Sequence, residues 1–419
     1  MIAPLCLALL LSAPTAVAAD DPPKAAGSVE EALDRAKSLT DKEEWAEAVA
    51  AYRKILRDQP EHGRAPEARF WAGFGLVKLG DHAAAVELLE PFRTALAGDK
   101  WADDAMLQLG HGYKALGDAD KALEAWDRQV EAYRDSVWRV EVMNQTIDLL
   151  FHVKKDLPAC LARCERMVGE IEDRETTTEA RYLGAYCLNA LRRFDESERW
   201  AAGRFDPETP IEEAWRSVLK IQRDLLDGRA DAALKGVDAL PTTYPDLDQD
   251  DRVDLLTRLA FVLRFNGRVD RARLLLMDEL KRPLHRSEDD ANWLFDQLAE
   301  VVGDGPEAGL EGALTELIGH ETTPVVVRAV ARDRLVRKLR DEDAAGKAEE
   351  LLRKAVADDP AEFGRFRAAT GLADLLAEAK GDRPGALRVL KDLEPTLKRR
   401  DLAHKLREAA RSLETPPPG

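Results

Sequence analysis

The sequence predicts an all-α, right-handed solenoid of about nine or ten stacked helical hairpins. Three observations carry that expectation. First, Leu79 to Glu90 reads LGDHAAAVELLE and Leu116 to Asp127 reads LGDADKALEAWD, so nearly the same phrase recurs 37 residues on. Second, the 419 residues are 34% charged and only 6% aromatic, which is a composition of helices with solvated faces rather than of strands. Third, small residues return at a nearly constant period: Ala48, Ala85, Ala122, Cys160, Ser197, Ala233, Ala272, Ala313, Ala348 and Ala386. One helical hairpin cannot bury its apolar faces alone, so units of that length must stack on their neighbours.

Each unit reads as helix, tight turn, helix. Turns are marked by Gly80-Asp81, Gly117-Asp118, Lys155-Asp156, Gly228-Arg229, Gly267-Arg268, Gly303-Asp304 and Gly381-Asp382. Glycine there can take the left-handed conformation that ends a helix, and the next residues start another. In the third unit Leu109, Tyr113 and Leu116 form one apolar stripe, and Ala122, Trp126 and Val130 form the next at helical spacing. Residues 289–319 depart most, because Gly305, Gly309 and Gly312 crowd the second helix; a helix break or change of curvature is expected there. Asp401 to Leu413 forms an amphipathic helix suited to closing the array.

These residues resemble the tetratricopeptide (TPR) repeats. Ala48, Tyr52 and Pro60 stand at the small, aromatic and terminal-proline places of such a unit. Gly73, Gly80-Asp81, Ala85 and Leu89 do so in the second unit, and Gly110, Tyr113, Gly117, Ala122 and Trp126 in the third. Pro360 closes a later unit after Ala348, and the resemblance runs from Ser28 to Leu413. The period is longer than the usual one of about 34, and Tyr133-Arg-Asp-Ser136 and Tyr244-Pro-Asp-Leu247 show the extra residues after the second helix. In that respect the chain is similar to exported bacterial envelope TPR proteins, of the Tol–Pal-associated or outer-membrane assembly type.

The expected organisation begins with a secretory signal peptide, residues 1–19, whose apolar core Leu5–Leu11 precedes Ala16-Val17-Ala18-Ala19. A linker follows at 20–27, then a TPR-like array at 28–288, a divergent array with its capping helix at 289–413, and a disordered tail at 414–419. Pro4 and Pro14 argue against a spanning helix, so no integral membrane segment is expected after cleavage. The expected location is the periplasm or cell envelope.

Chemistry-bearing motifs are sparse. A net charge of −17 argues against nucleic acid, which is held by clustered Lys and Arg. The charge is uneven: from His320 onward 21 Lys+Arg face 18 Asp+Glu (+3), leaving −20 for the rest. The seven histidines form no metal-binding pair, and nucleophile elbow, P-loop and dinucleotide fingerprints are absent. Asp246-Leu-Asp-Gln-Asp250 imitates a calcium loop but has Asp251 and Thr257 where glycine and glutamate are needed, so it reads as a helix cap. Neither cofactor nor metal is expected. Cys160, Cys164 and Cys187 read as small core thiols, with one disulfide, Cys164–Cys187, as the alternative in an exporting compartment.

The resemblance implies a non-catalytic scaffold or adaptor whose partner is a protein or peptide. Two other readings stay open: an enzyme or enzyme subunit with a carboxylate or His site near 289–319, and a structural spacer. The resemblance also implies that the first helix of each unit lines the concave face. Its exposed stripe then comprises Phe70, Phe74 and Val77; Leu107, His111 and Lys114; Gln145, Leu149 and His152; Arg181, Ala185 and Leu188; and Thr257, Phe261 and Arg264. Phe70 and Phe74 are the expected anchor pair, with His111, Lys114 and Arg181 orienting the bound segment.

Overall fold

The computed structural model describes residues 28–206, 208–282, 287–303 and 309–414. The expected signal peptide and linker lie outside the described residues, as do Gly305 and all of the tail after Glu414. Among the described residues there are 21 α-helices and no strand. The chain divides into two compact units, Met1–Ala180 and Arg181–Gly419.

The first unit is an all-α solenoid of four hairpins. They are α1 (Val29–Asp41) with α2 (Trp45–Asp58), α3 (Ala65–Lys78) with α4 (His82–Leu89), α5 (Ala102–Ala115) with α6 (Ala119–Ala132), and α7 (Arg139–Asp148) with α8 (Leu157–Glu170). Leu33, Ala36, Ala48, Tyr52, Ile55, Ala68 and Ala72 form one continuous buried cluster, so α1 and α2 share their core with α3. That sharing is the reason a single hairpin is not the folding module.

The second unit repeats the pattern. It comprises α9 (Thr178–Ala190, starting just before the division) with α10 (Phe194–Arg204), α11 (Pro210–Leu226) with α12 (Ala230–Thr243), α13 (Gln249–Phe265) with α14 (Val269–Lys281), α15 (Glu288–Val302) with α16 (Leu310–Gly319), α17 (Val325–Asp341) with α18 (Ala345–Asp358), and α19 (Glu362–Asp374) with α20 (Arg383–Leu393). First helices pack on their successors: α11 on α13, α13 on α15, α15 on α17 and α17 on α19. The last helix, α21 (Arg400–Glu414), buries Leu402, Leu406 and Ala410 and turns its charged residues outward.

The turns explain the period. Each hairpin turn holds one residue at positive φ: Gly80, Gly117, Gly228, Gly267, Gly303 and Gly381, and also Glu43, Lys155, Arg192 and Asp343. In four of them the following aspartate caps the second helix, its carboxylate accepting from a backbone N–H three residues on: Asp81 from Ala84, Asp118 from Lys121, Asp156 from Ala159 and Asp382 from Gly385. Asp248 caps α13 in the same way, accepting from Asp251. The ten small marker residues, Ala48 through Ala386, are all between 0% and 4% exposed. Nine of them lie five residues after the left-handed turn residue; Ala313 lies ten after Gly303. The irregularity of 289–319 is therefore five extra residues between Gly303 and Ala313.

Two π turns adjust the register. Leu149–Lys154 extends α7 and Leu375–Ala379 extends α19. Both stand in units of 38 residues, from Gly117 to Lys155 and from Asp343 to Gly381, so each absorbs one extra residue without moving the turn.

Candidate functional site

In the first unit the first-helix face runs over α3, α5 and α7. Its apolar part is a cluster of aromatic rings. Phe70 stacks on Trp101 at 4.9 Å between centroids with a 15° tilt, and meets Trp71 edge-on at 5.1 Å. Phe70 is consequently buried, 5% exposed, which corrects its expected exposure. The physical reason is Trp101, which precedes α5 and covers the place that looks open within α3 alone. Phe74 is half-buried, edge-on to Trp45 and to Trp71 at 5.7 Å each, with the Lys78 ammonium 5.2 Å from its ring centre. A cation over an aromatic face is attracted by the ring quadrupole, so Lys78 and Phe74 present one mixed surface.

The polar part lies on α5 and α7. Lys114 donates to Asp148 at 2.9 Å and to Gln145 at 3.2 Å. His152, exposed on the π turn, sits 3.8 Å from the same Asp148. His111 is half-buried, edge-on to Trp126 at 5.5 Å, with Nε2 3.7 Å from the Glu141 carboxylate. Burial pushes the His111 imidazole below its ordinary value, Glu141 pulls it up and Lys114 pushes it down. Phe74, His111, Lys114 and His152 are thus on accessible positions. Leu107 and Leu149 are not: both are buried, which corrects their place on the exposed stripe. The Leu107 carbonyl accepts from the Trp126 indole N–H, which ties that turn of α5 to α6.

In the second unit Arg181 is a correction of the same kind. Its guanidinium is buried, paired with Glu212 at 2.6 Å and bonded to the Arg204 carbonyl at 2.9 Å. It joins α9 to α11 and to the end of α10, where it can orient no ligand. Ala185, Leu188 and Thr257 are also buried. Phe261 is half-buried between Tyr186 at 5.4 Å and Phe265 at 4.3 Å. Arg264 lies over the Phe265 ring at 5.7 Å and pairs with Glu300 at 3.1 Å. Phe265 is 49% exposed. Sequence reasoning missed it, although its spacing of four from Phe261 puts both on one helix face.

The stretch 289–319, where a carboxylate or His site was the alternative, holds paired carboxylates. Glu316 binds Lys281 at 2.7 Å and Arg273 at 2.8 Å, and Lys281 foremost holds its carboxyl below the usual range. Asp296 binds Arg334 at 2.7 Å. The nearest histidine, His320, bonds the Thr322 hydroxyl at 3.0 Å and is exposed. Among the described residues no group of three or more His, Cys, Asp or Glu could hold a metal ion. Cys160 and Cys164 are buried in the first unit and Cys187 in the second. No helix among the described residues is long and apolar enough to cross a membrane.

With its hairpins, left-handed turns and shared core, the chain has a TPR-like all-α solenoid fold. No protein-family model matches it, and no curated protein does. Among solved structures it is similar to a tetratricopeptide repeat protein from Parabacteroides merdae, at 15% identity over 65% of this chain and 98% of the other, with a TM-score of 0.40. It is similar also to the C-terminal part of a TPR repeat-containing protein from Cytophaga hutchinsonii, at 14% identity over 66% and 97%, with a TM-score of 0.37. A third similarity is to the structure of Naa15/Naa10 bound to HypK-THB, at 15% identity over 92% of this chain and 63% of the other, with a TM-score of 0.36. At such scores the fold assignment rests on the chain's own hairpins.

Proposed function

We propose that the chain is a non-catalytic scaffold of the bacterial periplasm or cell envelope, binding a segment of a partner protein along the first-helix face of α3, α5 and α7. The observation that carries this is the adjacency of two kinds of surface on successive first helices. Phe74 with Lys78 offers an apolar anchor beside a cation, and Lys114, Asp148 and His152 offer exchangeable polar partners. Interfaces are held by a few desolvated aromatic anchors inside a polar rim, and this face supplies both. Its ion pairs are partly exposed and worth little in stability, so a ligand can replace them at small cost.

The test is affinity capture from native envelope with the wild type and with Phe74→Ala combined with Lys114→Ala. The expected result is loss of one specific captured protein with an unchanged helical signal and melting temperature. Capture at wild-type levels by the double variant overturns the assignment. Export is checked separately: the mature chain is expected to begin at Asp20, which intact mass or N-terminal sequencing reads directly. A Cys164–Cys187 bridge, allowed by an oxidising compartment, is checked by alkylation of the denatured, unreduced chain, where a bridge removes two labels.

A further inference from the structure

A second kind of site is built from residues of the second unit alone. In the second unit a cleft of about 310 Å³ opens between α10 and α11. Its volume falls within the range of small-molecule sites, about 300–1,000 Å³. The space exists because α10 presents Ala201 and Ala202 toward Leu219 of α11, two methyl side chains where longer ones would close the gap.

The cleft's charged residues are arranged unusually. Arg216, Lys220 and Arg223 stand at i, i+4 and i+7 on α11 and all line the cleft. Like charges at such spacing disfavour a helix unless something neutralises them. Arg223 pairs with Glu198 across the cleft, and Arg216 donates to the Ala201 and Phe205 carbonyls at 3.2 and 3.3 Å, closing the end of α10. Arg216 also approaches Glu213, but at 3.7 Å from Nε this is no hydrogen bond. The fourth lining cation, Arg229, is held by Asp224 at 2.6 Å and Asp227 at 2.7 Å. Among the described residues Lys220 has no carboxylate partner, and it is exposed.

We propose that this cleft binds a small organic monoanion, a carboxylate on a short apolar chain, with the carboxylate at Lys220 and the chain against Ala201, Ala202 and Leu219. One unpaired cation matches one negative charge, and the exposed Lys220 ammonium donates to a carboxylate. The alanine and leucine surface makes no use of a purely inorganic anion, which is why an apolar chain is part of the assignment. This binding goes beyond scaffolding and does not depend on it, since none of the cleft residues belongs to α3, α5 or α7.

Calorimetric titration of the full chain with octanoate tests the proposal, with inorganic phosphate and octan-1-ol as separate probes. Saturable octanoate binding is expected, weakened at least tenfold by Lys220→Glu, an exposed position whose substitution leaves the melting temperature in place. Ala201→Leu is expected to remove binding by filling the cleft while Lys220 stays. The proposal is overturned if octanoate shows no saturable binding, or if Lys220→Glu binds it as tightly as the wild type. Phosphate binding as tight as octanoate overturns the apolar half, and octanol binding as tight as octanoate overturns the anionic half.

Discussion

The indole N–H of Trp126 donates to the carbonyl of Leu107 at 3.2 Å, passing directly over Gly110. Trp200 repeats the relationship, donating to the Arg181 carbonyl at 2.8 Å beside Gly184. In each hairpin the tryptophan stands sixteen residues after the glycine and its acceptor three before it. A Cβ on Gly110 would lie 1.9 Å from Trp126 Nε1, and one on Gly184 would lie 2.4 Å from the Trp200 ring. These glycines are needed for close approach of an indole, since both lie inside helices.

Gly110→Ala is therefore expected to lower stability by overpacking, by roughly 1–3 kcal/mol, despite alanine's better helix propensity. Trp126→Phe, which loses the donor and the five-membered ring and leaves a cavity, should cost more than the roughly 1 kcal/mol of the hydrogen bond alone. Combining Gly110→Ala with Trp126→Leu should recover part of the loss, because the clash is with the indole. Urea unfolding of these variants and of Trp126→Leu alone measures this; additive losses of Gly110→Ala and Trp126→Leu in the double variant would refute the account.

The turns give a stabilising prediction. Glu43 and Lys155 hold φ of 59° and 54° where other units have glycine. A side chain in the left-handed region costs roughly 1–2 kcal/mol, partly offset by the larger unfolded-state entropy of glycine. Glu43→Gly and Lys155→Gly should each raise stability by a few tenths to about 1 kcal/mol. Gly117→Ala, at φ 77°, should lower it. Melting temperatures moving the other way would mean that these side chains contribute contacts that outweigh their strain.

The period, the small marker residues and seven of the ten turns were legible because glycine, aspartate and alanine announce themselves locally. Glu43, Arg192 and Asp343 were not, since nothing in a charged residue's identity marks a left-handed backbone. The π turns look like continued helix, and only the 38-residue spacing betrays them. Exposure along the stripe failed for a different reason: it is decided by the next hairpin. Phe70 meets Trp101, Arg181 meets Glu212 and Lys114 meets Gln145, each pair 31 residues apart. Scanning for partners at that offset, slightly less than one period, is the sequence signal that would have set Phe70 and Arg181 apart from Phe74, which has only Ala105 there.

A buried ion pair yields a further prediction. Arg332 and Asp359 are both buried and meet at 2.7 Å; Arg332 also donates to the Gly364 carbonyl at 3.1 Å, and Asp359 accepts from the Ala361 N–H at 3.0 Å. Removing one partner strands the other charge, so Asp359→Ala should cost roughly 3–5 kcal/mol. Replacing both, Arg332→Met with Asp359→Leu, should cost much less, because no charge stays buried. Denaturant midpoints of the single and double variants decide it, and equal losses in both would show that the pair's shape matters more than its charge.

The last prediction concerns pH. Burial displaces the His111 imidazole downward from its ordinary value of about 6.5. A base with a depressed folded-state value binds fewer protons when folded than when unfolded between the two values. Stability in that window then rises with pH, is fully present above about 6.5, and is lost as the solution is acidified. Relative to His111→Gln, which cannot titrate, the wild type should gain stability as pH rises toward about 6.5 and run parallel above. The neighbours supply controls of opposite sign. Glu141 favours the charged ring, so Glu141→Gln should depress the folded value further and carry the pH dependence to lower pH. Lys114 disfavours it, so Lys114→Met should shrink the dependence. Unfolding curves for the four proteins across that range test the assignment, and a His111→Gln profile parallel to the wild type at every pH would show that this histidine is not the group responsible.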